Sequence, residues 1–472
     1  MAQEEPQSTD TLRVMIVGAG IGGLMLAALL EIASIEYSVF ERAPDVKPLG
    51  SALSLGANVF LAFEQLGILK EFYSKAKPFA QTRAYGEGHD KVRIRDYSPA
   101  NEIAGYLPHI IARPDLYEIL LKRIPVHKVH YSKKVLSIQH KDSEVIITCS
   151  DKTSYSADIL VGADGAYSAV RQGLYKHIHA QGNLPVQDQE IQLPFKSICL
   201  VGQTTPQPLE KFPQLTETFS RFDIVVGDNK PYTWVTFSTR QQTICWMVIL
   251  HLDKESSRTH DSFRNTEWGP ESAQSMCKEV EDFILPSYTD IDNDRGSKGL
   301  KIKDLIDQTP KDRISKVMLE EKLFETWFAM RTVLLGDACH KMHPSAGLGA
   351  VSAIHDAIVL ANVLHDLPSK NPDDITRAFQ AYKDERYPLA KVSWDTSHKM
   401  SQVLGKTWIN AMIRFGINHM PDWIWTKALS RMYGYRPQVS FLPLVKDRGS
   451  VKPAPQPSLI SRSANHGMPQ AV

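Results

Sequence analysis

Val14-Met-Ile-Val17-Gly18-Ala-Gly20-Ile-Gly22-Gly23 decides the fold of this chain. A short apolar, β-rich run stops at glycine, and Ile21 to Ser34, packed with Leu, Ala and Met, then reads as a helix. A second short strand, Tyr37 to Phe40, ends at Glu41. Strand, helix and strand within about thirty residues require parallel pairing and a right-handed crossover. Gly18, Gly20 and Gly23 permit a tight turn, close approach of backbone to a pyrophosphate and helix-to-strand packing, and the helix start holds the anion. Glu41, 18 residues after Gly23, stands where a carboxylate accepts both ribose hydroxyls of an adenosine. An adenine dinucleotide is the expected ligand, against the plainer reading of a glycine-rich turn beside a surface glutamate. The same run, Val14 to Leu30, approaches the lower limit of a membrane span, but the nucleotide turn accounts for its glycines.

Around that unit lie 472 residues, a prior of roughly three domains, each able to bury a core without staples. Fifty-four basic against 53 acidic residues leave a net charge of +1, so no overall field draws in nucleic acid. With 43% hydrophobic and 23% charged residues the chain is neither disordered nor fibrous. Five scattered cysteines, Cys149, Cys199, Cys245, Cys277 and Cys339, support neither a disulfide framework nor a zinc site. The acidic, polar Met1 to Arg13 carries no secretory or mitochondrial address. A reducing, cytoplasmic setting is expected.

The texture divides the chain into four stretches. Residues 11–186 read as the first part of a nucleotide-binding domain, with hairpins from Val129 to Ala157 leading into a buried strand at Ile159 to Gly162. Residues 187–324 turn β-rich and read as an inserted substrate domain. Residues 325–385 return to the first domain through a strand at Thr332 to Leu335 and a long helix from about Gly349 to Leu364. Residues 386–472 form a C-terminal helical segment and a proline-rich tail, expected to be loose after about Ser458. The fold class is α/β, a Rossmann-like domain carrying a β-rich insertion.

Two later segments narrow the cofactor: Asp158-Ile-Leu-Val-Gly-Ala-Asp164-Gly165-Ala-Tyr-Ser168-Ala-Val-Arg171, and Gly336-Asp337-Ala-Cys-His340-Lys-Met-His-Pro344-Ser-Ala-Gly347-Leu-Gly349. With the dinucleotide turn before them, in this order, they make the chain resemble the class A flavoprotein monooxygenases, the group that includes para-hydroxybenzoate hydroxylase. The likeness runs from about residue 12 to 385. It implies FAD, with NAD(P)H as electron donor, O2 as co-substrate and oxygen transfer through a flavin C4a-hydroperoxide. It further implies that Glu41 binds the adenosine ribose with Arg42 and Gly50 nearby, that Arg113 approaches the phosphates or ribityl chain, and that Asp337 holds ribityl hydroxyls. Asp164 would order the loop shared by FAD and the nicotinamide donor; its plainer role, with Ser168, is a turn cap. The helix starting at Gly349, Ala350 and Val351 would aim its N–H groups at the flavin N1 and C2 carbonyl, where charge gathers on reduction. Val351 stands where the family usually has Asn, so only the backbone contact carries over. The carbonyl of Pro344 would lie near the reacting oxygen.

His340 and His343 could approach a metal by spacing, but no acidic or thiolate third ligand is clustered with them in the sequence, and no metal is expected. Asp290-Ile-Asp292-Asn-Asp294 starts like a calcium loop, yet Arg295 and Lys301 stand where glycine and glutamate are required. Lys406 to Tyr433 mixes Trp408, Ile409, Met412, Trp423 and Trp425 with basic residues. It reads as a helix docked on the domains, with a peripheral membrane contact through residues 406–433 as the alternative. The Gly336 to Met342 stretch looks, more loosely, like fungal monooxygenases of secondary metabolism, including terpenoid epoxidases. The expected activity is hydroxylation or epoxidation of an apolar or aromatic small molecule, a phenol or an isoprenoid, with Tyr232 a candidate pocket residue. The rivals are a flavin dehydrogenase or reductase on the same fold and a non-enzymatic, flavin-loaded interaction protein.

Overall fold

The computed structural model describes residues 11–45, 52–88, 91–190, 193–227, 230–257, 270–286, 299–403, 412, 416 and 419–460. Its nucleotide layer is a six-stranded sheet in the order Phe328–Ala329, Thr332–Leu334, Ile159–Gly162, Arg13–Val17, Glu36–Phe40, Val129–His130. All pairings are parallel except the short edge hairpin of Phe328–Ala329 with Thr332–Leu334. Parallel strands are covered on both faces, and Val14 to Val17 are buried without alternation. The helix Ile21–Ile32 is buried from Ile21 to Leu30, because the helix Gly349–His365 packs across it inside the same core.

The second layer is a seven-stranded sheet in the order Ser315–Glu320, Pro194–Gln203, Ile244–Ser257, Tyr232–Ser238, Phe222–Val226, Gln81–Gly86, Lys91–Asp96. The last two strands come from the stretch that the sequence texture left in the nucleotide-binding part. Phe222–Val226 pairs with Gln81–Gly86 in parallel, so the insertion is stitched into its host. This sheet has two apolar faces, and side-chain alternation sorts its residues between them. Ile198, Leu200, Trp234, Trp246 and Val248 face a core closed by Met276, Phe283 and Leu305, while Cys199, Val201, Phe237, Met247 and Ile249 face the other way.

The C-terminal stretch begins with the helix Pro372–Val403. The helix Asp422–Met432 then docks on the body: Trp425 Nε1 donates to Asp96 O at 2.6 Å, its ring meets Tyr97 edge-on, and Leu429 is fully buried. Trp423, on the opposite side, is 67% exposed. Trp408, Ile409, Ile413 and Ile417 lie outside the described residues, as do Asp290 to Arg295 and all positions after 460. Up to Ser458 the tail is anchored: the Ser458 N–H donates to Glu385 at 2.7 Å and the Val439 N–H to Gln65 at 2.8 Å. No described helix is long and apolar enough to cross a membrane.

Candidate functional site

Between the two layers lies a cavity of about 1950 Å³, larger than a single small ligand needs. Gly20, Arg42, Arg113, Asp164, Asp337, Pro344, Gly349, Ala350 and Val351 all line it, so the structure gathers most of the residues singled out from the three motifs. Gly50 lies outside the described residues.

The dinucleotide turn is built by sterics. Gly18 has φ +107°, and a Cβ there would stand 2.4 Å from Ala163 O; a Cβ at Gly23 would stand 2.0 Å from Gly18 O. Neither position accepts a side chain. Gly20 differs, because a Cβ there would meet only Ala163 O at 3.8 Å and would otherwise fill cavity. Glu41 sits just behind the wall, accepting the N–H groups of Ala19 and Ala43 at 2.9 Å each, and so ties the second strand to the glycine turn. Each oxygen retains a lone pair for a hydroxyl.

Two helix starts face the cavity. Ile21, Gly22 and Gly23 precede the first intrahelical bond, Leu24 N–H to Gly20 O at 2.8 Å, and neither helix has a side-chain cap or an acidic residue in its first turn. Gly349, Ala350 and Val351 precede the bond from Ser352 N–H to Leu348 O at 2.9 Å in the same way. Their N–H groups and positive dipole ends are left for a ligand. Buried polar atoms of the lining residues that keep no protein partner include Asn58 Oδ1, Arg113 Nε, Asp164 Oδ1 and His343 Nε2. Cations, N–H groups and open glycines along one cavity fit a phosphate-bearing dinucleotide.

Asp164 Oδ2 accepts from Ala169 N–H at 2.6 Å and Val170 N–H at 3.2 Å, and Ser168 Oγ accepts from Arg171 N–H at 2.9 Å. The turn-cap role is therefore real, and Asp164 Oδ1 is left without a protein partner. Lys341 Nζ bonds Asp337 at 2.7 Å. Burial works to raise the Asp337 carboxyl, but Lys341, with His340 and Arg113 beyond it, holds it below the usual range. His343 is held neutral by burial, its pKa pushed down to about 3, and its Nδ1 accepts the Ser345 N–H.

Tyr232 is not brought to the site. It lies on the even-numbered face of its strand, 5.1 Å from the Phe283 ring, while its neighbour five residues on, Phe237, lines the cavity. One step of strand parity separates a pocket residue from a core residue. The residues that sequence reasoning missed form the scaffold of the flavin-side loop. Asp356 accepts from Gly336 N–H at 2.9 Å, His340 Nε2 at 2.6 Å and Arg386 Nε at 2.8 Å, all buried. Arg171 donates to Ala338 O at 2.8 Å and Ala166 O at 2.6 Å, tying the Asp-Gly turn to the Gly-Asp loop. Contrary to the sequence reading, His340 has acidic and thiolate neighbours: Cys339 and Asp356 cluster with it, and Asp356 is ion-paired with Arg386.

A Rossmann-like layer with a second sheet packed over its dinucleotide groove defines a dinucleotide-binding protein with room beside the groove for a second ligand. Residues 11–264 and 300–397 match the family described as FAD binding domain, and the chain belongs to that family. It is an FAD-dependent monooxygenase of a small molecule. Among its relatives, the FAD-dependent monooxygenase ausM of Penicillium brasilianum is 28% identical over 84% of this chain and 80% of its own. The monooxygenase ptmM of Penicillium ochrochloron is 28% identical over 82% of this chain and 88% of its own. The fold matches Klebsiella pneumoniae HpxO, solved with FAD and uric acid, at TM-score 0.70 and 17% identity, over 89% of this chain and 96% of that one.

Proposed function

We propose that the chain oxygenates a largely apolar, isoprenoid-like molecule of secondary metabolism. The observation that carries this reading is the cavity wall opposite the nucleotide layer. Val201, Phe222, Ile224, Phe237, Met247 and Leu319 line it, an extended greasy face suited to a long hydrocarbon rather than to a small phenol. In this reading the substrate unit is residues 187–324 together with Gln81–Gly86 and Lys91–Asp96. FAD, when bound, would supply the redox chemistry by which electrons from NAD(P)H and one atom of O2 reach the substrate, the other atom leaving as water.

The protein's own part is binding, orientation and exclusion of water. Glu41 would hold the adenosine ribose, Arg42 and Arg113 the phosphates, and Asp337 the ribityl hydroxyls. The start of the helix Gly349–His365 would stabilise negative charge on the ring. Pro344 would present its carbonyl beside the reacting substrate carbon, which the Val201 to Leu319 face would hold.

The test follows NAD(P)H consumption under isotopically labelled dioxygen with a panel of prenylated alkenes and phenols, the products weighed by mass spectrometry. A prenylated compound should gain one labelled oxygen. Label in phenols alone overturns the substrate class, and NAD(P)H oxidation with an oxidised but unlabelled product marks a dehydrogenase.

A further inference from the structure

Each oxygenation consumes a proton: NAD(P)H, H⁺, O2 and substrate give NAD(P)⁺, the oxygenated substrate and water. The O–O bond breaks, one oxygen bonds carbon, and the hydride with one proton from solution accounts for the water. That proton has to be delivered at the reacting oxygen inside the cavity, and a titratable side chain in the cavity wall can deliver it.

We propose that Glu320, hydrogen-bonded to Tyr167, is the residue through which this proton reaches the cavity. Glu320 ends the strand Ser315–Glu320 and lines the cavity at 3% exposure. Its Oε1 meets the Tyr167 hydroxyl. Tyr167 belongs to the Asp164 turn, lines the cavity and is 40% exposed, so the pair runs from solvent to the interior. From the flavin-side loop, Lys341 and Asp337 face Glu320. Its neighbours in the chain are turned elsewhere: Glu321 binds His398 at 2.6 Å, and Lys322 bonds the carbonyl of Glu190.

The chemistry suits the position. Burial pushes the Glu320 carboxyl up to about 7, so it carries and releases a proton near neutrality. Of the other lining groups, His343 and His355 are held neutral to about pH 3, Asp337 is kept ionised by Lys341, and burial raises the Asp164 carboxyl. Asp164 spends one oxygen on the amides of its own turn.

The experiment compares Glu320→Gln, Glu320→Asp and Tyr167→Phe holoproteins with the parent. Product formed per NAD(P)H is followed against pH, together with FAD affinity, the rate of flavin reduction and the infrared carbonyl band of protonated carboxyl groups. In the parent, product per NAD(P)H should fall as pH rises through about 7, with hydrogen peroxide taking its place. Glu320→Gln should lower that yield about tenfold or more below about pH 7, leave it without the parent's pH dependence and lose a carboxyl band titrating near neutrality, with FAD affinity and flavin reduction unchanged. Glu320→Asp should keep a pH dependence with a displaced midpoint, and Tyr167→Phe should slow product formation without moving it.

An unchanged yield and profile in Glu320→Gln overturns the proposal, as does the absence of a titrating band. If Glu320→Gln loses FAD, Glu320→Asp decides: a parental midpoint then marks a structural latch and overturns the relay. Hydroxylation and epoxidation consume the same proton, so failure here leaves the isoprenoid reading standing, and failure of that reading leaves the relay untouched.

Discussion

Asp356→Ala removes the carboxylate on which the flavin-side loop hangs. Asp356 and Arg386 are 0% and 1% exposed, and the carboxylate binds Arg386 Nε at 2.8 Å, His340 Nε2 at 2.6 Å and the Gly336 N–H at 2.9 Å. The substitution leaves a guanidinium buried without its counter-charge, which costs about 3–5 kcal/mol. The orphaned Gly336 N–H adds about 1–3 kcal/mol where the loop cannot relax. Urea unfolding of the holoprotein, read by tryptophan emission and by release of flavin fluorescence, should show a loss of that size with flavin released first. Asp356→Leu combined with Arg386→Met replaces the pair by apolar volume and should recover most of the loss. The acid limb supplies a second reading. Burial opposes ionisation of Asp356, but His340 and Arg386 outweigh it, so the folded-state pKa lies below the unfolded value of about 3.9. This contribution is present above about pH 4 and is lost as pH falls below it. Asp356→Asn should remove that acid step. A loss under about 1 kcal/mol in Asp356→Ala, or a double variant as unstable as the single one, would refute the hub.

Glu41→Ala should weaken FAD retention by roughly 1.5–3 kcal/mol for each charge-assisted bond lost, about tenfold or more in Kd by fluorescence titration; retention equal to the parent on dilution removes the ribose assignment. Gly18→Ala forces an L side chain to φ +107° against Ala163 O and should yield little folded protein. Gly20→Ala should leave apoprotein melting unchanged and lower FAD affinity, because its Cβ meets cavity rather than protein. His355 is buried neutral with its pKa pushed down to about 3, so its contribution is complete above the unfolded value of about 6.5 and declines as pH falls toward 3. His355→Gln should flatten stability over that range, measured by urea midpoints at successive pH values.

The nucleotide layer was legible because its signals are local. Four glycines, a buried apolar run and an acid at the end of the next strand lie within some thirty residues, and each does one steric or electrostatic job. The three motifs converge on one cavity because each sits at the end of a strand in the same parallel sheet. Less was legible where a pattern admits two registers. The run from Tyr232 to Ser238 is buried throughout, so the sequence carries no alternation to say which parity faces the cavity, and Tyr232, a pocket candidate or an ordinary strand aromatic by sequence, is the latter in the structure. The strands at 81–96 were left in the nucleotide part because their partner in the sheet, Phe222–Val226, lies over a hundred residues away.

The scaffold behind the site was hidden for a different reason. Asp356 and Arg386 belong to no motif, Arg171 closes one without a role that its sequence names, and a charged residue in a helical pattern ordinarily reads as a solvated face. Only the structure sets Asp356 beneath Gly336 and His340, twenty and sixteen residues away, where its charge is cancelled by an arginine from another helix. Glu320 was equally silent as the last residue of an ordinary strand. Its significance comes from Tyr167, one residue before the Ser168 cap, which the turn turns outward while Asp164 and Ser168 turn inward to hold the helix start. One loop thus does two jobs: its capping residues fix the wall of the cavity, and the residue between them reaches from solvent to the buried carboxyl of Glu320.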